Sequence, residues 1–251
     1  MIYLFLAIPG LIVIYVVYFM LMISKATKTN LYHPEIPKDS EGLKVEEFTY
    51  KTGEKYSWKG RFYAPDDSDR TRPCIVLYHG ELPDFIKPRP LDWKMFDDYG
   101  HLLAKKGFAS IIFNHRSSKN TKDAAPARED LLDLINYIRS ETILLPFNRD
   151  RIILWAFSGG SYICLNWIIK EKPEYIKTMI SYYGALQGKE NGESAIDLIK
   201  TNEGGDLPPI LIVKADKDRV RSSIKAADEF YAAAKDKADV HLLKHSGPHG
   251  F

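Results

Sequence analysis

The sequence predicts an α/β protein, with a mostly parallel central sheet covered by helices on both faces and one transmembrane helix in front of it. Short, nearly continuous apolar runs alternate with helical patterns through most of the chain, the signature of strands buried on both faces and joined by crossover helices. A charge-free stretch occupies residues 2–23, before any such alternation begins. One apolar run, residues 152–156, is followed after Phe157 by Ser158, with small residues two positions to either side of it.

Residues 2–23 are long enough, at a rise of about 1.5 Å per residue, to cross the roughly 30 Å of bilayer hydrocarbon. Pro9 and Gly10 interrupt the stretch, which lipid-embedded helices tolerate, and no basic residue precedes it as a cleavable signal peptide would require. Lys25 and Lys28 follow it, so the positive-inside tendency places the rest of the chain in the cytoplasm. The chain therefore divides into an anchor (1–23), a polar linker containing Pro34 and Pro37 (24–42), and one folded domain (43–251).

Residues 45–50 and 56–63 alternate polar and apolar around Gly53-Glu54, which predicts an antiparallel hairpin at a sheet edge. Strands follow at 74–78, 108–113, 152–156, 176–182, 210–213 and 240–243. Helices are expected at 95–106, at 127–140 with Leu131, Leu134, Ile135 and Ile138 on one face, at 162–170 and at 222–235. Only short loops, such as 81–93 and 184–206, are expected around the strand ends where such sheets place their chemistry.

Composition narrows the function. The formal net charge is +2, with acidic and basic residues interspersed, so nothing supports nucleic-acid binding. Cys74 and Cys164 lie inside apolar runs and are expected to pack as small hydrophobes. No His-x-x-His or Cys-x-x-Cys spacing suggests a metal, and no cofactor motif is present.

The segment from Ile152 through Ala156-Phe157-Ser158-Gly159-Gly160 has the order strand, serine, helix, which a nucleophile elbow requires. Such a serine occupies a strained turn, and its neighbours two positions away must be small so that strand and helix can approach. Gly160 meets this condition, and Ala156 stands where glycine is usual. Downstream, Asp216 and Asp218 follow the apolar run 210–213, and either could orient an imidazole. Of seven histidines, His249 follows both the last predicted strand and the acids, with His245 as runner-up.

These motifs resemble those of the α/β-hydrolase superfamily, and nearest to them are its dienelactone hydrolase-like and lid-less esterase branches. The resemblance runs from residue 45 to residue 251 and includes His79-Gly80, Leu103-Ala104-Lys105-Lys106-Gly107-Phe108 and His249-Gly250-Phe251. It implies Ser158 as nucleophile, Asp218 rather than Asp216 as acid, and His249 as base. It also implies an oxyanion hole from the N–H groups of Gly159 and of Glu81, or of Leu82. Glu81 suits that place only if its carboxylate turns away from the developing negative charge.

The expected activity is hydrolysis of a small-molecule carboxylic ester through an acyl-enzyme. A serine peptidase of the same fold is one alternative. A membrane-tethered binding protein is another, and it predicts Ser158 and His249 far apart.

Overall fold

A computed structural model describes residues 21, 41–53, 57–67, 69–82, 89–118, 123–140, 144–203 and 206–249. The predicted membrane span, apart from Leu21, and the linker through residue 40 lie outside these residues, as does Glu54 of the expected hairpin turn. Among the described residues no helix is long and apolar enough to cross a membrane.

The sheet begins with β1 (Leu43–Thr52) and β2 (Ser57–Pro65), which pair antiparallel as the alternation predicts. Then come β3 (Cys74–Tyr78), β4 (Ala109–Phe113), β5 (Ile152–Phe157) and β6 (Ile176–Tyr182). A two-residue pair, β7 (Lys189–Glu190) and β8 (Glu193–Ser194), stands apart from the main sheet. The main sheet closes with β9 (Ile210–Ala215) and β10 (Val240–His245). Its order is β1-β2-β4-β3-β5-β6-β9-β10, parallel from β4 to β10.

The helices are α1 (Lys94–Lys105), α2 (Ala125–Arg139), α3 (Gly160–Glu171), α4 (Ala195–Thr201) and α5 (Arg221–Ala234). Their sides follow from the handedness of crossovers. The connection β3–α1–β4 steps one way along the sheet, and every later crossover steps the other way. Right-handed connections then put α1 on one face and α2 through α5 on the opposite one. The buried clusters divide accordingly: Phe96 and Ala104 of α1 pack with Ile75, Leu77 and Phe157, while Leu131, Ile163, Ile199 and Phe230 pack with Val76, Leu154 and Ile212. Cys74 and Cys164 are free, fully buried in this second cluster, and burial pushes both thiols well up.

The reversal of strand order falls between β3 and β5, whose carboxyl ends open the crevice where ligands bind in such sheets. Ser158 follows β5, and Gly80-Glu81 follow β3. The expected loop 184–206 contains β7, β8 and α4 instead. Asn191 and Gly192 both have positive φ, which suits a tight hairpin turn. Ser194 caps α4 in a reciprocal capping box with Asp197.

One buried ion pair ties the β4 end to α2. Asp130, fully buried, accepts hydrogen bonds from the Arg116 backbone N–H at 2.7 Å and from its guanidinium, and from Lys51 at 2.7 Å. Burial alone would raise the Asp130 carboxyl, but these donors outweigh it and hold its pKa below the usual value. Its contribution is therefore present above the ordinary carboxylate range and is lost as pH falls through the folded-state pKa. Arg116→Met is expected to cost roughly 3 kcal/mol near neutral pH, by leaving a buried carboxylate short of its main partner. Urea denaturation should show the gap between variant and wild type closing as pH falls through the folded-state pKa of Asp130, below which the carboxyl is protonated in folded and unfolded chains alike.

Candidate active site

Ser158 is the first residue after β5, and its φ of 49° lies in the left-handed region that a β-carbon disfavours. Such strain costs on the order of 1–3 kcal/mol and persists only where the surroundings over-determine it. Here the Ser158 N–H donates to Tyr182 O at 3.0 Å, and the Ser158 carbonyl accepts from Ser161 and Ala185 N–H groups at 3.1 and 3.0 Å. The end of β6 and the start of α3 together clamp the turn.

The small residues around it are required by contact. A β-carbon on Gly160 would lie 2.4 Å from Tyr78 Cδ1 and 2.8 Å from His79 O, so α3 could not approach the end of β3. One on Gly159 would meet Glu81 Cγ at 2.5 Å. Ala156, in the place of the usual glycine, is fully buried, so its methyl is accommodated within the core.

The structure brings Ser158, His249 and Asp218 together. Ser158 Oγ lies 3.0 Å from His249 Nε2, and His249 Nδ1 donates to Asp218 Oδ2 at 2.7 Å. Asp218 is 7% exposed, and its other oxygen accepts the Val220 N–H at 2.8 Å. Asp216 is exposed, and its backbone N–H donates to His245 O, so Asp218 supplies the carboxylate that meets the imidazole. His245 braces the loop instead: its Nδ1 accepts the Gly247 N–H at 2.9 Å. The Tyr183 ring, 4.6 Å from that of His249, supports the imidazole from the side. A 3.0 Å separation of Ser158 and His249 runs against the binding-protein alternative, which requires them far apart.

Across the crevice, Gly80 and Glu81 face the serine. A β-carbon on Gly80 would be 3.0 Å from Ser158 Cβ, and Glu81 N lies 3.4 Å from the position of a Gly159 β-carbon. The Glu81 carboxylate turns toward the segment after β4, accepting from Ser117 Oγ at 2.8 Å and Ser118 N–H at 2.7 Å. Ser118 Oγ in turn lies 3.2 Å from Tyr162 OH. Ser117, Ser118, Tyr162 and Tyr183 are site residues that the sequence reading missed. None carries a motif: Tyr162 reaches the crevice from the first turn of α3, while Ser117, Ser118 and Tyr183 reach it because the sheet brings separate strand ends together. A cavity of about 890 Å³ opens beside Ser158, with Glu81, Ser118, Tyr162 and Lys189 among its walls.

Beneath this crevice His79 and His115 are buried with their rings stacked 3.7 Å apart. Their Nδ1 atoms donate to the carbonyls of Gly80 and Arg116 at 2.6 and 2.7 Å. Burial lowers both pKa values, that of His115 to about 4, so the pair is neutral near pH 7.

The BD-FAE family model matches residues 61–199, more than half of the chain. The chain belongs to the BD-FAE family. The matched stretch contains Glu81, Ser158 and Gly159, whereas Asp218 and His249 lie beyond it and are placed by the geometry alone. No curated protein sequence matches the chain. Among solved structures, brefeldin A esterase, described as a bacterial homologue of human hormone sensitive lipase, superposes with a TM-score of 0.66 at 15% identity. That match covers 90% of this chain and 74% of the other. Esterase 2 of Thermogutta terrifontis, phosphonylated by cyclosarin, gives 0.65 at 18% identity over 89% and 88% of the two chains. The acylaminoacyl peptidase of Pyrococcus horikoshii gives 0.64 at 19% identity, but only 38% of its length is covered. The BD-FAE member therefore has the α/β-hydrolase fold. The comparisons do not single out the dienelactone hydrolase-like branch within it.

Gly160→Ala is expected to destabilise the domain by about 1–3 kcal/mol, because neither the Tyr78 ring nor the His79 carbonyl has room to give way. A urea midpoint unchanged from wild type would contradict this close approach.

Proposed function

We propose that the protein hydrolyses small-molecule carboxylic esters through a Ser158–His249–Asp218 triad and an acyl-enzyme. The observation that carries this reading is the continuous chain of contacts from Asp218 Oδ2 through the imidazole to Ser158 Oγ. In it His249 takes the serine proton as Oγ attacks the ester carbonyl, and Asp218 holds the ring and stabilises the imidazolium. The tetrahedral oxyanion is received by the N–H groups of Gly159 and Glu81, whose facing backbones flank the serine. Because the Glu81 carboxylate is held by Ser117 and Ser118, its charge is directed away from that anion. His249 then returns its proton to the departing alcohol, and water attacks the acyl-enzyme by the same route in reverse. BD-FAE membership supports the ester as substrate, and esterases are among the proteins that share the fold. The cavity of about 890 Å³ beside Ser158 has room for a small-molecule ester.

We further propose that the charge-free segment 2–23 anchors the protein in a membrane, with Lys25 and Lys28 keeping the domain on the cytoplasmic side.

A fluorophosphonate should label the intact protein, and Ser158→Ala should abolish labelling. Turnover of short p-nitrophenyl esters should exceed that of aminoacyl amides. Ser158→Ala and His249→Ala should each lower kcat on the order of 10⁴–10⁶-fold. Asp218→Asn should lower it about 10⁴-fold, while Asp216→Asn stays within about twofold of wild type. Equal losses at the two aspartates would overturn the assignment of the acid. For the anchor, activity should sediment with membranes, resist alkaline carbonate and be released by detergent; release by carbonate would refute it.

A further inference from the structure

The Gly159 N–H belongs to the first turn of a helix, but the Glu81 N–H lies on an irregular segment after β3. Side chains that reach in from elsewhere flank it. One of them is Arg89, which is 3% exposed. Its Nη2 donates to His115 O at 2.5 Å and its Nη1 to Leu82 O at 3.4 Å, while the guanidinium carbon lies 5.9 Å from the Trp58 ring centroid. Leu82 directly follows Glu81, and His115 leads into Arg116-Ser117-Ser118, the stretch whose last two residues hold the Glu81 carboxylate. One planar group thus bridges the β3 segment and the β4 segment on either side of the Glu81 contact.

We propose that Arg89 is a positioning residue: its guanidinium fork, by bridging Leu82 O and His115 O, holds the Glu81 N–H in place for the oxyanion. The proposal rests on the ester-hydrolase reading above. Arginine suits the task because its rigid fork meets two carbonyls at once, which the single ammonium of lysine does not reproduce. The value of an oxyanion donor lies in being aimed before the charge develops, and a misplacement of about 1 Å can cost on the order of 100-fold. Ser158, His249 and Asp218 are positioned by β5, β9 and β10, away from this bridge, so the nucleophile should survive its loss.

The test uses the full-length chain in detergent, with Arg89→Met and Arg89→Lys. Each is assayed on a p-nitrophenyl ester and on the corresponding thionoester, and active sites are counted by fluorophosphonate titration. Sulfur is a weak hydrogen-bond acceptor, so aimed N–H donors accelerate the oxo ester far more than the thionoester. Arg89→Met should still titrate at Ser158, with kcat per titrated site for the oxo ester down about 100-fold and KM within about threefold. The oxo-to-thiono rate ratio should fall with it. Arg89→Lys should lose about tenfold, with a smaller fall in that ratio, and decides the matter alone if Arg89→Met does not fold. An unchanged kcat per titrated site, or a loss shared equally by both esters, would overturn the role of Arg89. If the unsubstituted protein neither titrates nor turns over, the ester-hydrolase reading fails and this proposal falls with it.

Discussion

The rest of the site depends on one strained turn. Ser158 is held at a left-handed φ between a buried strand and a helix that starts two residues later. Because the conformation is unfavourable by itself, it must be imposed from outside. The Tyr182 carbonyl and the Ala185 N–H impose it from the end of β6, and the absence of a β-carbon at Gly160 lets α3 close down on Tyr78 and His79. Strain at one residue is thereby offset by packing across three strands, and the serine hydroxyl is left projecting over the crevice.

Two sides of the sheet then complete the arrangement in different ways. On the β9 and β10 side, Asp218 and His249 sit on loops laced together by backbone bonds from Asp216 to His245 and from Lys217 to Gly247. On the β3 and β4 side, the crevice wall is organised by buried polar groups. Glu81 is turned toward Ser117 and Ser118, Arg116 is paired with Asp130, and the stacked His79 and His115 are kept neutral by burial. Buried polar groups are costly unless bonded. Spending several of them near one strand end is the pattern of a site in which position matters.

Much of this was legible in the order of residues. The parallel strands announce themselves as runs such as Cys74–Tyr78 because both faces are buried, and α2 by the spacing of Leu131, Leu134, Ile135 and Ile138. The nucleophile turn is local, so Ser158 with Gly159 and Gly160 could be read directly. The stretch 184–206 reads as loop in the sequence although it holds β7, β8 and α4. Asn191-Gly192 and the Ser194–Asp197 capping box were the available signals, but elements of two and seven residues are too short for a hydrophobic period to show. Ser117, Ser118, Tyr162, Tyr183 and Arg89 had no signal, since nothing in their neighbours reveals what lies across the crevice.

By itself the sequence determined the alternation of elements, the nucleophile turn and the order serine, acid, histidine, because each depends on neighbours within a few residues or on simple order along the chain. The choice of Asp218 over Asp216 rests there on resemblance, and a Glu81 carboxylate turned away from the developing anion is only a condition to be met. Both turn on tertiary contacts. Two carboxylates two residues apart on one loop differ little in sequence, but only one lies 2.7 Å from the His249 ring. The Glu81 carboxylate is held as it is only because β3 and β4 are neighbours in the sheet, which brings the N–H of Ser118 and the hydroxyl of Ser117 to it. Contacts of that kind join residues more than 30 positions apart, and no local pattern encodes them.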